Sequence, residues 1–358
     1  MASNSFGTHF RITTWGESHG RGIGVVIDGC PAGIPITDAE INAELGRRAG
    51  GKTPYTTPRS EKDTAEIFSG VFDGQTTGAP ISIIIFNKDA DSSKYEPIKD
   101  LMRPGHANFT YLEKYGIFDY RGGGRSSARE TACRVAAGTI AKKLIAHSGI
   151  TVTAYIHSIG GIAINTVNLD AIASSPIFCP DPKAGEQMME AILKAKEEQD
   201  SLGGVIECTA IGLPIGLGDP VYEKLEANLA KGMLTIPATK GFEIGEGFNA
   251  ANLKGSEHND GFTTDPSGNI VPATNHAGGT LGGISTGLPL TFRVAFKPTS
   301  SINKTQKTVD TAGKAQDFKL PAGSRHDPCV TIRAVPIVEA MAALTLADSL
   351  LLSPSSKL

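Results

Sequence analysis

Cysteine is sparse and scattered: five residues in 358, odd in number and with no C-x-x-C pair, offer neither a disulfide framework nor a structural zinc site. Reduced thiols in a cytosol fit that usage best. Long hydrophobic runs are missing too, since none approaches the roughly 18 apolar residues that span a bilayer. The first twenty residues lack the apolar core of a secretion signal, so a cytoplasmic location without a membrane anchor is expected. Charge excess is small. A formal net charge of -3 leaves no broad cationic surface for a nucleic-acid backbone, so any basic cluster should be a local pocket. Walker loop, zinc motif and GxSxG elbow are all absent. The triple glycine follows no strand of the kind a dinucleotide fingerprint needs. No two histidines stand at helical two-ligand spacing, and no metal is expected.

What is present is a hydrophobic content of 40% with 20% charged residues, enough for a sizeable core, and 42 glycines that imply many tight turns or backbone-lined pockets. Strands are expected over 9–14 and 22–27, joined by the sequence GESHG. Thr37 and Glu40 have capping-box spacing ahead of a helix that runs through Arg48, whose last-turn arginines need be no more than a charge cap. A loop without periodicity follows over 49–63, of the length that lids and binding loops have. Further strands are expected over 66–71 and 81–86, the second buried on both faces. A long alanine-rich helix over 127–146 should be central. Strand 150–156, helix 186–199, strand 205–211, helix 221–230 and strand 290–296 follow. A polar, mobile loop is expected over 256–269, and a strand over 330–334 before a final amphipathic helix over 338–351. No linker interrupts this alternation, which reads as one mixed α/β domain over 1–358.

Chemistry concentrates in 103–131. His106 follows Arg103, Pro104 and Gly105, and Arg121, Arg125, Arg129 and Arg134 crowd around three glycines and the hydroxyls of Ser126 and Ser127. Glycine lets backbone approach an anion while arginine, hydroxyl and N–H groups supply donors. His19 between Ser18 and Gly20, the KPTSS run from Lys297 to Ser301, and Arg325 with Asp327 are further candidates.

Together these segments resemble the chorismate synthase family. The resemblance rests on GESHG with RGIGVVIDGCPAG (16–33), YGIFDYRGGGRSSARET (115–131) and RHDPCVTIRAVPI (325–337). RPGHA, NHAGGTLGG and KPTSS also match, in the same order, from Phe10 to about Leu350. The resemblance implies an α+β fold, a β-α-β sandwich with central helices between two mainly antiparallel sheets, assembled as a homotetramer. It implies a lyase that eliminates phosphate from 5-enolpyruvylshikimate 3-phosphate to form chorismate, with reduced FMN and no net redox change. By the same resemblance His19 is the acid for the leaving phosphate, His106 donates toward flavin N1 and O2, and Asp327 is the carboxylate near flavin N5. Ser18, Arg48, Arg103, Arg129 and Arg325 match substrate-binding positions. Arg125, Ser126, Ser127, Ala238, Gly282, Lys297, Pro298, Thr299, Ser300, Ser301 and again Arg325 match FMN-binding ones. One position departs: Pro54 stands where the family usually has a second arginine, with Lys52 two residues earlier. No NADPH site is expected, so a separate flavin reductase should supply the electrons. A flavin-dependent oxidoreductase and a non-catalytic flavin or anion binder are the competing readings.

Overall fold

The computed structural model describes residues 4–58, 63–88, 92–321, 323–324 and 326–353. Two five-stranded sheets, both antiparallel throughout, enclose a layer of helices. The first contains β1 (Ser5–Phe6), β2 (Arg11–Gly16), β3 (Gly22–Asp28), β4 (Ala65–Ile67) and β5 (Ile81–Phe86), in the spatial order β1-β2-β3-β5-β4. The second contains β6 (Thr151–Ile159), β7 (Ile162–Ala163), β8 (Gly204–Ile211), β9 (Thr239–Ile244) and β10 (Leu290–Phe296), in the order β9-β10-β8-β6-β7. The longer helices are α1 (Asp38–Arg48), α2 (Asn108–Tyr115), α3 (Thr131–Ala146), α4 (Pro182–Glu197), α5 (Leu225–Leu234) and α6 (Thr331–Leu352). This is the expected β-α-β sandwich.

Period-two patterning makes the sheets. Ile23, Val25 and Ile27 of β3 and Ile81, Ile83 and Ile85 of β5 point inward, as do Ile206, Cys208 and Ala210 of β8. The expectation that β5 is buried on both faces is not met: Ser82 and Ile84 are half-buried and Phe86 is exposed. An antiparallel sheet covered on one side by helices leaves its other face to water.

Helices α3 and α6 pack against each other and touch both sheets, and α1 and α5 pack on that pair. Small residues allow the approach. A Cβ added at Gly138 of α3 would stand 2.4 Å from the Cβ and 2.7 Å from the Cα of Ala340 on α6. Gly138→Val should therefore overpack the crossing and cost about 3 kcal/mol in urea unfolding, whereas a loss below about 1 kcal/mol would mean that the helices can part.

The C-terminal helix corrects two expectations. Val330, Thr331 and Ile332 favour strands and Pro336 reads as a breaker, yet α6 runs unbroken from Thr331 to Leu352 with Pro336 inside it. It is buried almost all round rather than amphipathic, and that burial outweighs local propensity. By length and composition α6 could cross a membrane, but 78% of its most apolar window is buried inside the fold. Counting uninterrupted apolar runs passes over it because Arg333, Glu339 and Asp348 lie within.

Smaller differences have local causes. The Thr37–Glu40 capping box forms as expected, but Arg47 and Arg48 reach into the interior instead of capping α1. Residues 127–146 divide into a 3-10 turn (Ala128–Glu130) and α3. Helix α4 starts four residues early because the Asp181 side chain caps the N–H groups of Lys183 and Ala184. Helix α5 starts four residues later than expected. Within 256–269 lie part of a helical turn (Gly255–His258) and the first strand and bend of a hairpin, Phe262–Thr264 pairing with Ile270–Pro272 just beyond, the bend tied by Asp265.

Candidate active site

The connection between the interior strands β2 and β3 delivers Ser18 and His19 to one end of the first sheet. His19 Nδ1 lies 2.9 Å from Ser92 Oγ, and the ring meets Tyr95 edge-on at 5.2 Å. Gly122, at φ +73°, faces the other edge: a Cβ there would lie 2.6 Å from His19 Cδ2 and 2.9 Å from both His19 Nε2 and Ser18 Oγ. The glycine run thus serves chiefly as a close-packed wall for the imidazole. Its Gly122 carbonyl accepts from Arg103 Nη1 at 2.9 Å, and Arg103 Nη2 reaches Ser301 Oγ at 3.4 Å.

Gly105, also left-handed at φ +67°, brings the turn before α2 against the strap that follows β10. A Cβ on it would stand 3.0 Å from Ser300 Cβ and 3.9 Å from Lys297 Nζ. Lys297 N donates to Ala238 O at 2.9 Å, and Thr299 O accepts from Ser201 Oγ at 2.8 Å, which pins both ends of the strap. His106 lies beside these cations. Burial, with Arg103 and Lys297 adding to it, lowers its pKa to about 3. Its Nδ1 accepts from Asn108 N at 3.2 Å, so the neutral ring carries its proton on Nε2.

A cleft of about 170 Å³ adjoins this strap, lined by Arg48, Arg129, Arg333, Asp63, Asp327 and His326, with Ser127, Thr57 and Thr299. Asp327 Oδ2 accepts from Arg333 Nη1 at 2.8 Å and Oδ1 from Thr57 N at 2.9 Å. Arg48, 3% exposed, donates to Thr131 Oγ1 at 2.9 Å, Ala128 O at 2.7 Å and Asp63 Oδ2 at 3.1 Å. Burial and then the nearby Arg333 pull its pKa down to about 10. Arg129 donates to Asn87 Oδ1 at 2.9 Å and pairs with the other oxygen of Asp63. His326 is held neutral, its pKa lowered to about 4 by burial and Arg103 against the opposing pull of Asp327.

Both imidazoles tie stability to pH. Unfolded, each would protonate near pH 6.5, and folded only near 3 and 4, so below pH 6.5 the unfolded chain takes up protons that the native one refuses. Stability is full above pH 6.5 and should fall by up to about 1.4 kcal/mol per pH unit per histidine as acid is added. Urea unfolding of ligand-free protein at pH 7, 6 and 5 should show a slope that His326→Asn reduces. An unchanged slope in that variant would contradict the assignment.

The fold brings many of the residues singled out by sequence near one another. Ser18, His19, Arg103, His106, Lys297, Thr299, Ser300 and Ser301 gather around one centre, with Arg48, Ser127, Arg129 and Asp327 in the adjoining cleft. Pro298, exposed, packs near Gly203, and Ala238 supports the strap through its carbonyl. Three expected flavin contacts are not brought there within the chain. Arg125 turns its guanidinium to Thr14 and Gly16 O, and lines with Ser126 a separate cavity beside Tyr111 and Arg134. Gly282 tips the hairpin of Thr280–Leu281 and Ile284–Ser285, next to the Leu290 end of β10. Lys297 follows the opposite end, and seven strand residues put them on the order of 20 Å apart. Arg325 lies outside the described residues. Lys52, two residues before Pro54, donates from its Nζ to Gly46 O at the end of α1 and is not among the residues that line the cleft. Asp63 is not singled out by sequence because its partners Arg48 and Arg129 lie 15 and 66 residues away, whereas His326 and Arg333 stand within the 325–337 segment and gain their place only when the fold brings Arg103 and the Arg48 carbonyl to them.

A sequence model described as chorismate synthase matches residues 10–351. The chain belongs to the chorismate synthase family. It is 60% identical over 363 residues to the chorismate synthase of Protochlamydia amoebophila, covering 99% of this chain and 98% of the relative. Against that of Methanosarcina mazei the identity is 50% over 357 residues, with 99% and 97% covered. A crystal structure of a chorismate synthase superposes with a TM-score of 0.76 at 32% identity, covering 96% of this chain and 92% of the other. Membership in this family agrees with the two-sheet fold.

Proposed function

We propose that this cleft carries the family's reaction, the 1,4-elimination of phosphate from 5-enolpyruvylshikimate 3-phosphate to give chorismate, with reduced FMN as cofactor. The observation that carries the reading is a set of buried polar atoms without hydrogen-bond partners among the described residues: Ser18 Oγ, Thr299 Oγ1 and His326 Nε2. Buried polar groups are ordinarily paired. Three that are not, beside Arg48, Arg103, Arg129, Arg333 and Lys297, suit ligands rich in phosphate and carboxylate oxygens.

Lys297 and the hydroxyls of Thr299, Ser300 and Ser301 would hold the FMN phosphate, with the Gly105 turn leaving room for it. When bound, reduced FMN supplies an electron-rich ring beside the substrate and is not consumed. His106, neutral and protonated on Nε2, offers a donor to that anionic ring. Arg48, Arg103 and Arg129 orient the substrate anions through forked guanidinium contacts. As the C–O bond breaks, its electron pair leaves with phosphate, and His19 donates a proton to the departing oxygen. Asp327, aligned by Arg333 and Thr57 N–H, would stand beside flavin N5 as the carboxylate that assists removal of the proton lost by the substrate ring. Arg125, Ser126 and Gly282 could join this site only from another subunit, which the proposed homotetramer would provide. A cytoplasmic location and a separate flavin reductase complete the reading.

Anaerobic incubation with reduced FMN and substrate should release chorismate and phosphate in equal amounts through many turnovers per flavin. No product from folded protein would remove the proposal. Consumption of one reductant per product would favour the oxidoreductase reading.

A further inference from the structure

Asp63 is an aspartate buried in a site that has to accept anions. Its side chain is 3% exposed, and its two oxygens take one donor each from Arg48 and Arg129. Among the described residues, the other side-chain bonds of those arginines run to fixed parts of the fold. Arg48 is held by Thr131 on α3 and by the Ala128 carbonyl, and Arg129 by Asn87 just after β5. Asp63 itself lies two residues before the short edge strand β4, in neither a helix nor a strand. The two guanidiniums are thus aimed by the scaffold, and the groove between them is occupied by a carboxylate on a connection.

We propose that Asp63 is the resident counter-ion of the substrate-anion site, occupying in the ligand-free protein the donors of Arg48 and Arg129 that a phosphate or carboxylate takes on binding. The proposal rests on the reading that these arginines face the substrate. Charge balance gives the reason for such a group. Among the described residues the cleft sets Arg48, Arg129 and Arg333 against Asp63 and Asp327. Without Asp63, the buried Arg48 and Arg129 and the half-buried Arg333 would face Asp327 as the one other carboxylate of the cleft among the described residues, and buried charge that loses a partner is costly. A built-in anion keeps the empty site folded, and an incoming anion can replace it at little electrostatic cost. That replacement weakens apparent affinity by the fraction of molecules in which the arginines are already occupied.

The sign of one substitution separates this from a bridge that must stay in place. Asp63→Asn keeps the size and removes the charge. Titrated with inorganic phosphate at constant ionic strength, with chloride as the control, the full-length variant should bind on the order of tenfold more tightly than wild type. Its melting temperature should be lower than wild type in chloride and should recover with phosphate by a larger increment. Asp63→Glu, which retains the charge, should bind no more tightly than wild type. Equal or weaker phosphate binding by Asp63→Asn would overturn the proposal and make Asp63 a permanent brace. If Asp63→Asn folds only when phosphate is present, that supports the proposal, and failure to fold in either salt overturns it. Arg129→Ala separates the two layers. Phosphate binding that ignores this change would sink the site assignment itself, whereas an Arg129-dependent site that Asp63→Asn fails to strengthen would sink only the present inference.

Discussion

His19→Ala is expected to lower the rate of chorismate formation by roughly 10²–10⁴-fold, the usual contribution of a positioned acid–base group. FMN binding should change little, because the groups assigned to the FMN phosphate lie on the Lys297 strap and not on the β2–β3 connection. A rate loss alone could come from a distorted loop, so a second variant reaches the same imidazole without removing it. Gly122→Ala would place a methyl group 2.6 Å from His19 Cδ2, and the ring must move. It should lose a comparable part of the rate while its unfolding midpoint shifts modestly. Added imidazole should partly restore His19→Ala and leave Gly122→Ala unchanged. Full activity in both variants would remove His19 from the mechanism.

Glu339→Ala should produce the largest stability loss of any single side-chain truncation in the helix layer, about 3–5 kcal/mol. Glu339 sits in the middle of α6 and is 4% exposed. One oxygen accepts from Lys142 at 2.7 Å and from Arg47 Nη1 at 2.5 Å; the other accepts from Arg47 Nη2 at 3.0 Å and Ala154 N at 3.2 Å. A single carboxylate therefore ties α1, α3, α6 and β6 together. Burial alone would raise its pKa, but Arg47 and Lys142 outweigh burial and hold it below the usual carboxylate range. Truncation leaves both cations with Glu44 as their remaining carboxylate partner among the described residues. Urea unfolding should report the loss as a lower midpoint, and a loss below about 1 kcal/mol would mean that Arg47 and Lys142 escape to water.

What could be read from sequence was what short-range chemistry determines. The capping box of Thr37 and Glu40 is complete within four residues, and the apolar run of 81–86 and the β-prone segment 290–296 mark β5 and β10 to the residue. Helix α6 was missed at its start because propensity and Pro336 argue locally for a strand and a break, whereas its burial against α3 is set by residues two hundred positions away. The same distance hides half of the site. Arg48 and Arg129 stand in recognisable motifs, but Asp63 is notable only once the fold brings it between them, and Arg333 only once it meets Asp327 and the Arg48 carbonyl. Motif matching also placed Arg125 and Gly282 with the strap. It carries no information on which way a guanidinium turns or which end of a strand a hairpin caps.

The most direct test is a crystal structure of the protein with FMN and 5-enolpyruvylshikimate 3-phosphate bound together. The cofactor phosphate should lie against Lys297 and the hydroxyls of 299–301, with His106 Nε2 in hydrogen-bond reach of the flavin and His19 in reach of the substrate phosphate. Ligands seated elsewhere, or both imidazoles turned away from them, would contradict the assignment of this cleft.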